Sequence, residues 1–386
     1  MSIINEAAEL KDYLIKIRRD LHQMPEIALK LPKTVAYVAA ELDKLNVDYE
    51  IKEDISCIFA MIGKNDGRKC ILLRADMDGL AINEKSGEPF ACTTGTMHAC
   101  GHDMHATSLL GAAKLLKAHE DELDCCVKLL FQSAEETFEG AKAAIEAGVL
   151  KDPKPAAAYG SHVFAMSPAG SVSYGQTPMG AVYGFKITVH GVGGHGSTPE
   201  ICIDPINAAV QIYLALQAII SREVPAVGQA VLTIGQLTAG TAANIIPDTA
   251  VLQGTLRTFD SDLRSYIIKR INAVYPAVAN TYRCTAELEV LSDVPSVKCD
   301  PEFSAYCMDV MKQEGLAEEY LDMHVMGSED FAFLSEKVPA CFFAIGACPD
   351  DMEVGLEQHH PAIRFNEDVM VKVAAAYAAM ALNFKC

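Results

Sequence analysis

The segment His98-Ala99-Cys100-Gly101-His102-Asp103-Met104-His105 gathers a thiol and three imidazoles in one short stretch. Cys100 and His102 are two apart, so in an extended loop their side chains face the same side, and Gly101 permits a tight backbone between them. A thiolate and an imidazole at that spacing suit Zn, Co, Ni or Mn to differing degrees, with sulfur favouring the softer ions. Taken alone, Cys100 reads equally well as an inert buried thiol. Glu135-Glu136 comes next. Neighbouring side chains diverge, so one carboxylate can bind a metal while the other holds a water, the two roles that metal-assisted hydrolysis requires. Adjacent acids at a strand-to-helix junction also simply favour a helix N-terminus. Asp78, after Arg74-Ala75-Asp76-Met77, and His162 complete the set. Each has a bland explanation by itself, and the joint placement is what points to a metal centre.

Three later positions carry weaker signals. Gly191-Val192-Gly193-Gly194-His195-Gly196-Ser197 lacks the Gly-Lys-Ser/Thr ending of a phosphate loop, so it reads as a flexible turn presenting His195. Asn244 lies in a polar stretch that a plain hairpin turn explains. Arg257 falls inside a strand, where an unpaired guanidinium suggests carboxylate recognition or a salt bridge.

The elements that would hold these groups follow from periodicity. Ile4, Ala7, Leu10, Leu14, Ile17 and Leu21 predict one amphipathic helix, and a second follows Pro32. Apolar runs at 69–73, 126–131 and 156–159 predict buried strands, with a helix over 108–116 between the first two. The expected fold is α/β, a mostly parallel sheet flanked by helices. The candidate ligands sit just after its strands, at the sheet edge where such folds build their sites. From about 182 the pattern becomes strand, helix, strand, strand, helix, strand, an inserted ferredoxin-like α+β domain. The expected division is a catalytic metal-binding domain over 1–181 and 296–386, interrupted by a lid or dimerisation domain over 182–295. The tail predicts a helix over 301–315, a strand over 340–346 and a helix over 369–382, rejoining the first sheet.

Composition narrows the function. The 386 residues hold 32 Lys and Arg against 51 Asp and Glu, a formal charge of −19. Nucleic acid as a partner is disfavoured, because displacing phosphate counterions needs a basic surface. No apolar run approaches the roughly 18 residues of a membrane span. The start resembles no signal peptide, so the thirteen cysteines predict a cytoplasmic protein with reduced thiols.

With these segments in view, the chain resembles the aminoacylase/carboxypeptidase family of two-metal hydrolases, and within it the amidohydrolase branch of hippurate hydrolases and auxin-conjugate hydrolases. The likeness runs nearly end to end. It takes in Asp20-Leu21-His22…Pro25-Glu26, Arg74-Ala75-Asp76-Met77-Asp78, His98-Ala99-Cys100-Gly101-His102-Asp103 and Ala134-Glu135-Glu136. It continues through Gly193-Gly194-His195, Asn244-Ile245-Ile246-Pro247-Asp248, Gly254-Thr255-Leu256-Arg257, Gly327-Ser328-Glu329-Asp330-Phe331 and His359-His360-Pro361. Cys92 departs from the pattern, standing where a serine is common.

The resemblance implies two divalent metal ions (Zn, Mn, Co or Ni) held by Cys100, His102, Glu136, His162 and His359, with Cys100 bridging them. It implies Glu135 as the general base that takes a proton from the attacking water and later gives it to the leaving amine. Asp78 would orient a ligand from behind. His195 and Asn244 would polarise the scissile carbonyl, in their own or a partner subunit's site, and Arg257 would anchor the substrate carboxylate. The inserted domain would mediate homodimerisation and act as a lid. The expected activity is hydrolysis of the amide of an N-acyl amino acid, such as an acetyl or benzoyl derivative. A dipeptidase or carboxypeptidase on the same scaffold, or a non-catalytic metal-binding protein, are the alternatives. A thiol redox protein is disfavoured, since no Cys-x-x-Cys pair is present.

Overall fold

The computed structural model describes residues 2–385. It divides into two compact units, one of Met1–Pro178, Val297–His324 and Glu329–Cys386, the other of Met179–Ser296 and Val325–Ser328.

The larger unit is built on an eight-stranded sheet. Its spatial order is Asp48–Lys52, Cys57–Ile62, Cys126–Gln132, Cys70–Asp76, Pro155–Phe164, Ala340–Gly346, Val172–Tyr174, Leu321–Asp322. The four central strands, 126–132 to 340–346, run parallel, and antiparallel neighbours flank them. Every residue of Cys70–Asp76, Cys126–Gln132 and Ala340–Gly346 is buried, so these strands show no alternation; Arg74, Asp76, Lys128 and Gln132 are the polar side chains enclosed among their apolar residues. The helices His102–Ala118 and Val369–Leu382 pack together over this sheet. Their contact depends on small side chains: a Cβ on Gly111 would lie 3.0 Å from the Cβ of Ala374. Burying a full Leu or Ile side chain stabilises by roughly 1.5–3 kcal/mol, and this core holds dozens of apolar residues.

The N-terminal pattern forms two helices, Ile3–Ala8 and Lys11–His22, where periodicity predicted one. The break at Glu9-Leu10 lets the first pack on Val369–Leu382 and the second on His102–Ala118. Periodicity cannot register such a break, because the apolar spacing continues through it. The short strands Asp48–Lys52, Val172–Tyr174 and Leu321–Asp322, at or next to the sheet edges, are too brief to carry a period in the sequence.

The smaller unit has one antiparallel sheet in the order Thr285–Val294, Ala181–His190, Thr249–Thr258, Ala230–Ala239. The helices Pro205–Glu223 and Ser261–Thr281 cover one face, giving the ferredoxin-like arrangement. Each starts at an aspartate cap: Asp204 accepts from Ile206 N at 2.8 Å and Asp260 from Leu263 N at 2.7 Å. Phe185, Ile187 and Val189 alternate inward from the sheet to meet Ala208, Ile212, Leu216 and Ile219 at helical spacing. No described helix is long and apolar enough to cross a membrane.

Candidate metal centre

The parallel strands of the larger unit deliver their carboxyl ends to one edge, and the polar groups converge there. Cys70–Asp76 runs on to Asp78, Cys126–Gln132 to Glu135 and Glu136, and Pro155–Phe164 carries His162. The donor atoms of Cys100, His102 and His162 lie within 4.8 Å of one another, and so do those of Cys100, Glu136 and His359. The two groups share Cys100. The route differs from the expected extended loop. Gly101 is left-handed at φ 88° and His102 opens a helix, so a turn brings the two side chains together. A Cβ on Gly101 would meet Val163 Cγ2 at 2.6 Å, so only glycine fits. His359 also adopts a positive φ of 67° and is tied down by its N–H to Ala99 O at 3.0 Å.

Hydrogen bonds decide which nitrogens are free. A carbonyl oxygen only accepts, so Nδ1 of His102 donates to Asp78 O at 3.0 Å, and Nδ1 of His162 donates to Val163 O at 2.7 Å. Both Nε2 atoms therefore face the centre, and Nε2 of His102, like Oε1 of Glu136, is buried without a partner. Burial disfavours a charge on His102, but Asp76 and the hydrogen bond with Asp78 outweigh it and raise its affinity for protons, so an ion bound there would displace the Nε2 proton. His105 is different. Its Nε2 accepts from Val163 N at 2.9 Å and its Nδ1 donates to Asp76 at 2.6 Å, so neither nitrogen is left for an ion. Asp78 braces the acidic pair from behind, accepting from Glu135 N and from Glu136 N at 3.1 Å each.

The electrostatics follow from burial and neighbours. Burial, with Glu329, Asp330 and Glu136 nearby, pushes the Glu135 carboxyl well above the usual range. Burial opposes ionisation of Glu136 too, but the hydrogen bond with His359 and the charge of His102 outweigh it and lower its carboxyl. His359 is raised to about 10 by its hydrogen bonds to Cys100 and Glu136. Burial, then His105, holds His162 neutral, the form that ligates.

Next to this edge lies a buried charge cluster to which the linear sequence assigns no role. Arg74 pairs with Asp76 at 2.6 Å, Glu329 at 2.8 Å and Asp330 at 2.7 Å. A second network joins Asp103 to Arg18 at 2.9 Å and to His22 at 2.7 Å. All of these residues except Arg18 stand in the segments that carry the resemblance, but nothing in linear order says that Arg74 meets residues 255 and 256 positions away.

In the smaller unit, His195 and Asn244 come together through a short ladder in which His195 pairs with Ile245 and Gly196 N donates to Asn244 O at 2.8 Å. Ser197 N donates to His195 Nδ1 at 3.1 Å, leaving Nε2–H as the outward donor of a neutral ring. Arg257 donates to Ser328 Oγ at 2.8 Å. Burial alone lowers this half-buried guanidinium, with no carboxylate among the causes.

Residues 72–383 match peptidase family M20/M25/M40. The IAA-amino acid hydrolase ILR1-like 4 of Arabidopsis thaliana is 36% identical over 97% of this chain and 86% of its own. N-acetylcysteine deacetylase of Bacillus subtilis is 35% identical over 96% of each. The solved YXEP protein of Bacillus subtilis, described as a dinuclear metal binding peptidase from the M20 family, superposes with a TM-score of 0.83 at 32% identity, covering 97% of this chain and 98% of that one. Family match, full-length likeness and fold agree, and the chain belongs to peptidase family M20/M25/M40, as a hydrolase of amide bonds.

Proposed function

We propose that the protein hydrolyses the amide of N-acyl amino acids using two divalent metal ions held by Cys100, His102, Glu136, His162 and His359. The observation that carries this reading is the pair of buried, unpartnered donors, His102 Nε2 and Glu136 Oε1, facing a shared thiol beside Glu135. A sulfur, three imidazoles and a carboxylate form a donor set suited to Zn or Mn, and also to Co or Ni. Bound there, the ions would polarise the scissile carbonyl and acidify water.

The remaining steps belong to the chain. Glu135 takes the proton of the attacking water and passes it to the departing nitrogen, and its raised affinity for protons suits both transfers. Asp78 fixes His102 through its carbonyl and the Glu135-Glu136 backbone through its carboxylate. His195 Nε2–H and the Asn244 amide are donors able to stabilise the developing oxyanion. Arg257, with no carboxylate partner among the described residues, is available for the carboxylate of the amino acid product half.

The smaller unit, Met179–Ser296 with Val325–Ser328, would act as lid and dimerisation surface. Val210 and Leu214 on its first helix are 41% and 55% exposed, and Val231 and Leu237 on its edge strand Ala230–Ala239 are exposed too. Analytical ultracentrifugation should then find a homodimer that Leu214→Glu dissociates; a monomeric parent protein would remove this role. A cytoplasmic location fits the twelve described cysteines, all free and buried.

A substrate panel tests the activity. N-acetyl and N-benzoyl amino acids are compared with dipeptides on protein reconstituted separately with Zn, Mn, Co and Ni. Preferred turnover of the N-acyl compounds is expected, and a strong preference for dipeptides with a free α-amino group would replace this reading with a dipeptidase.

A further inference from the structure

We propose that Asp330 is a positioning residue for the Glu135-Glu136 pair, clamping the loop that carries them at its start, at its middle and at its end. The proposal rests on the reading of Glu135 as the base.

The loop joins the strand Cys126–Gln132 to the helix Gly140–Glu146. It is folded back tightly. Ala134 and Phe138 hold left-handed φ values of 55° and 59°, a region that side chains other than glycine seldom occupy. At Gly140 a Cβ would fall 1.7 Å from Ser133 O, so the two ends of the loop touch. A segment held in such a shape needs fixed partners.

Asp330 supplies them from 195 residues downstream. Its Oδ1 accepts from Gln132 Nε2 at 2.8 Å, which is the last strand residue before the loop. Its Oδ2 accepts from Ala141 N at 2.8 Å, in the helix that follows the loop. Its own N–H donates to Glu135 Oε1 at 3.2 Å. With Oε1 taken, Oε2 is the oxygen that faces His102 Nε2, 4.0 Å away. One residue thus fixes both anchors of the loop and selects which oxygen of the base looks into the centre.

Arg74 makes the arrangement affordable in charge. It bonds Asp330 at 2.7 Å and Glu329 at 2.8 Å, and its Nε donates to Gln132 Oε1 at 2.9 Å. The carboxylates of Glu135, Glu329 and Asp330 lie within 4.8 Å of one another, and this guanidinium stands as their cation, so the group is a scaffold and not a third metal site. The Gly327-Ser328-Glu329-Asp330-Phe331 segment thereby acquires a role that its composition did not disclose.

Asp330→Asn keeps the shape and the backbone N–H but turns an NH2 toward groups that are already donors. On metal-reconstituted protein, kcat for an N-acetyl amino acid is expected to fall about 10–100-fold, the scale of a misplaced catalytic group, with KM within about threefold. Metal content by plasma mass spectrometry stays at the parent value. Gln132→Met removes the tie at the loop start together with the bond from Arg74 Nε, keeps the Asp330 bonds to Ala141 N and Glu135, and gives a smaller loss of kcat in the same direction; it decides the matter if Asp330→Asn does not fold. Parent-level kcat in the folded variants overturns the proposal, as does a loss fully matched by lost metal or unfolded protein. Glu135→Gln is the control. If it is inactive while Asp330→Asn and Gln132→Met turn over normally, the positioning role alone fails; if Glu135→Gln turns over normally, the reading of the base fails.

Discussion

Cys100 Sγ lies 3.3 Å from Nε2 of His162, with both side chains buried and the His162 proton committed to Val163 O on the far nitrogen. The thiol thus stands at the junction of two candidate ligand groups, and losing it would weaken both. Cys100→Ser is expected to lose metal on dialysis under conditions where the parent protein keeps it, as measured by plasma mass spectrometry. Replacing another buried cysteine remote from the centre, Cys307, serves as the control and should leave metal content unchanged.

Asp78 offers a milder perturbation. An asparagine there must point its NH2 at one of the two backbone N–H groups that Asp78 now accepts, of Glu135 or of Glu136. Metal affinity should drop about 10–100-fold, the usual cost of disturbing a group behind a ligand, and competitive chelator titration reads it directly. Unchanged affinity would show that the loop is held without this carboxylate.

Glu135 separates binding from chemistry. Glu135→Ala should retain both ions and lose turnover by about 10²–10⁴-fold, the contribution typical of positioned proton transfer. Parallel measurement of metal content and kcat checks it, and retained turnover would remove Glu135 from the mechanism.

The Asp103 network predicts a pH dependence of stability. Burial opposes ionisation of Asp103, and Arg18 and His22 outweigh it, holding the folded carboxyl well below its ordinary value of about 4. In the unfolded chain that carboxyl takes up a proton at higher pH than in the folded one. Its stabilisation is therefore complete above about pH 4 and declines as pH falls below that. Asp103→Asn, which breaks a buried pair, should cost about 3–5 kcal/mol at pH 7 and flatten the acid loss, by denaturant titration of metal-free protein. Parallel acid profiles for the two proteins would contradict the assignment.

Much of this was legible in order and spacing. The buried central strands announced themselves as continuous apolar runs, and the inserted unit through the change to alternation at Val182–His190, with Asp204-Pro205 marking its first helix. Glu135, Glu136 and His162 lie at or just past strand ends, whereas Cys100 and His102 reach the same edge through the turn at Gly101 that opens the helix His102–Ala118. What linear order could not carry were contacts across the chain. His105 sits among the ligand candidates in sequence, and only its bonds to Asp76 and Val163 show that both its nitrogens are occupied. Arg74 and Asp330 stand in separate segments and show no role in linear order, since the ion pair that joins them forms only when the sheet does. The break at Glu9-Leu10 was hidden because packing, and not apolar spacing, ends that first helix.

The central claim is that hydrolysis of N-acyl amino acids depends on divalent metal at this centre. The most direct measurement is turnover of an N-acetyl amino acid by purified protein before chelation, after exhaustive chelation, and after adding back Mn or Zn, with metal content followed throughout. Activity is expected to vanish with the metal and to return with about two ions per chain. Turnover that survives complete metal removal would contradict the account.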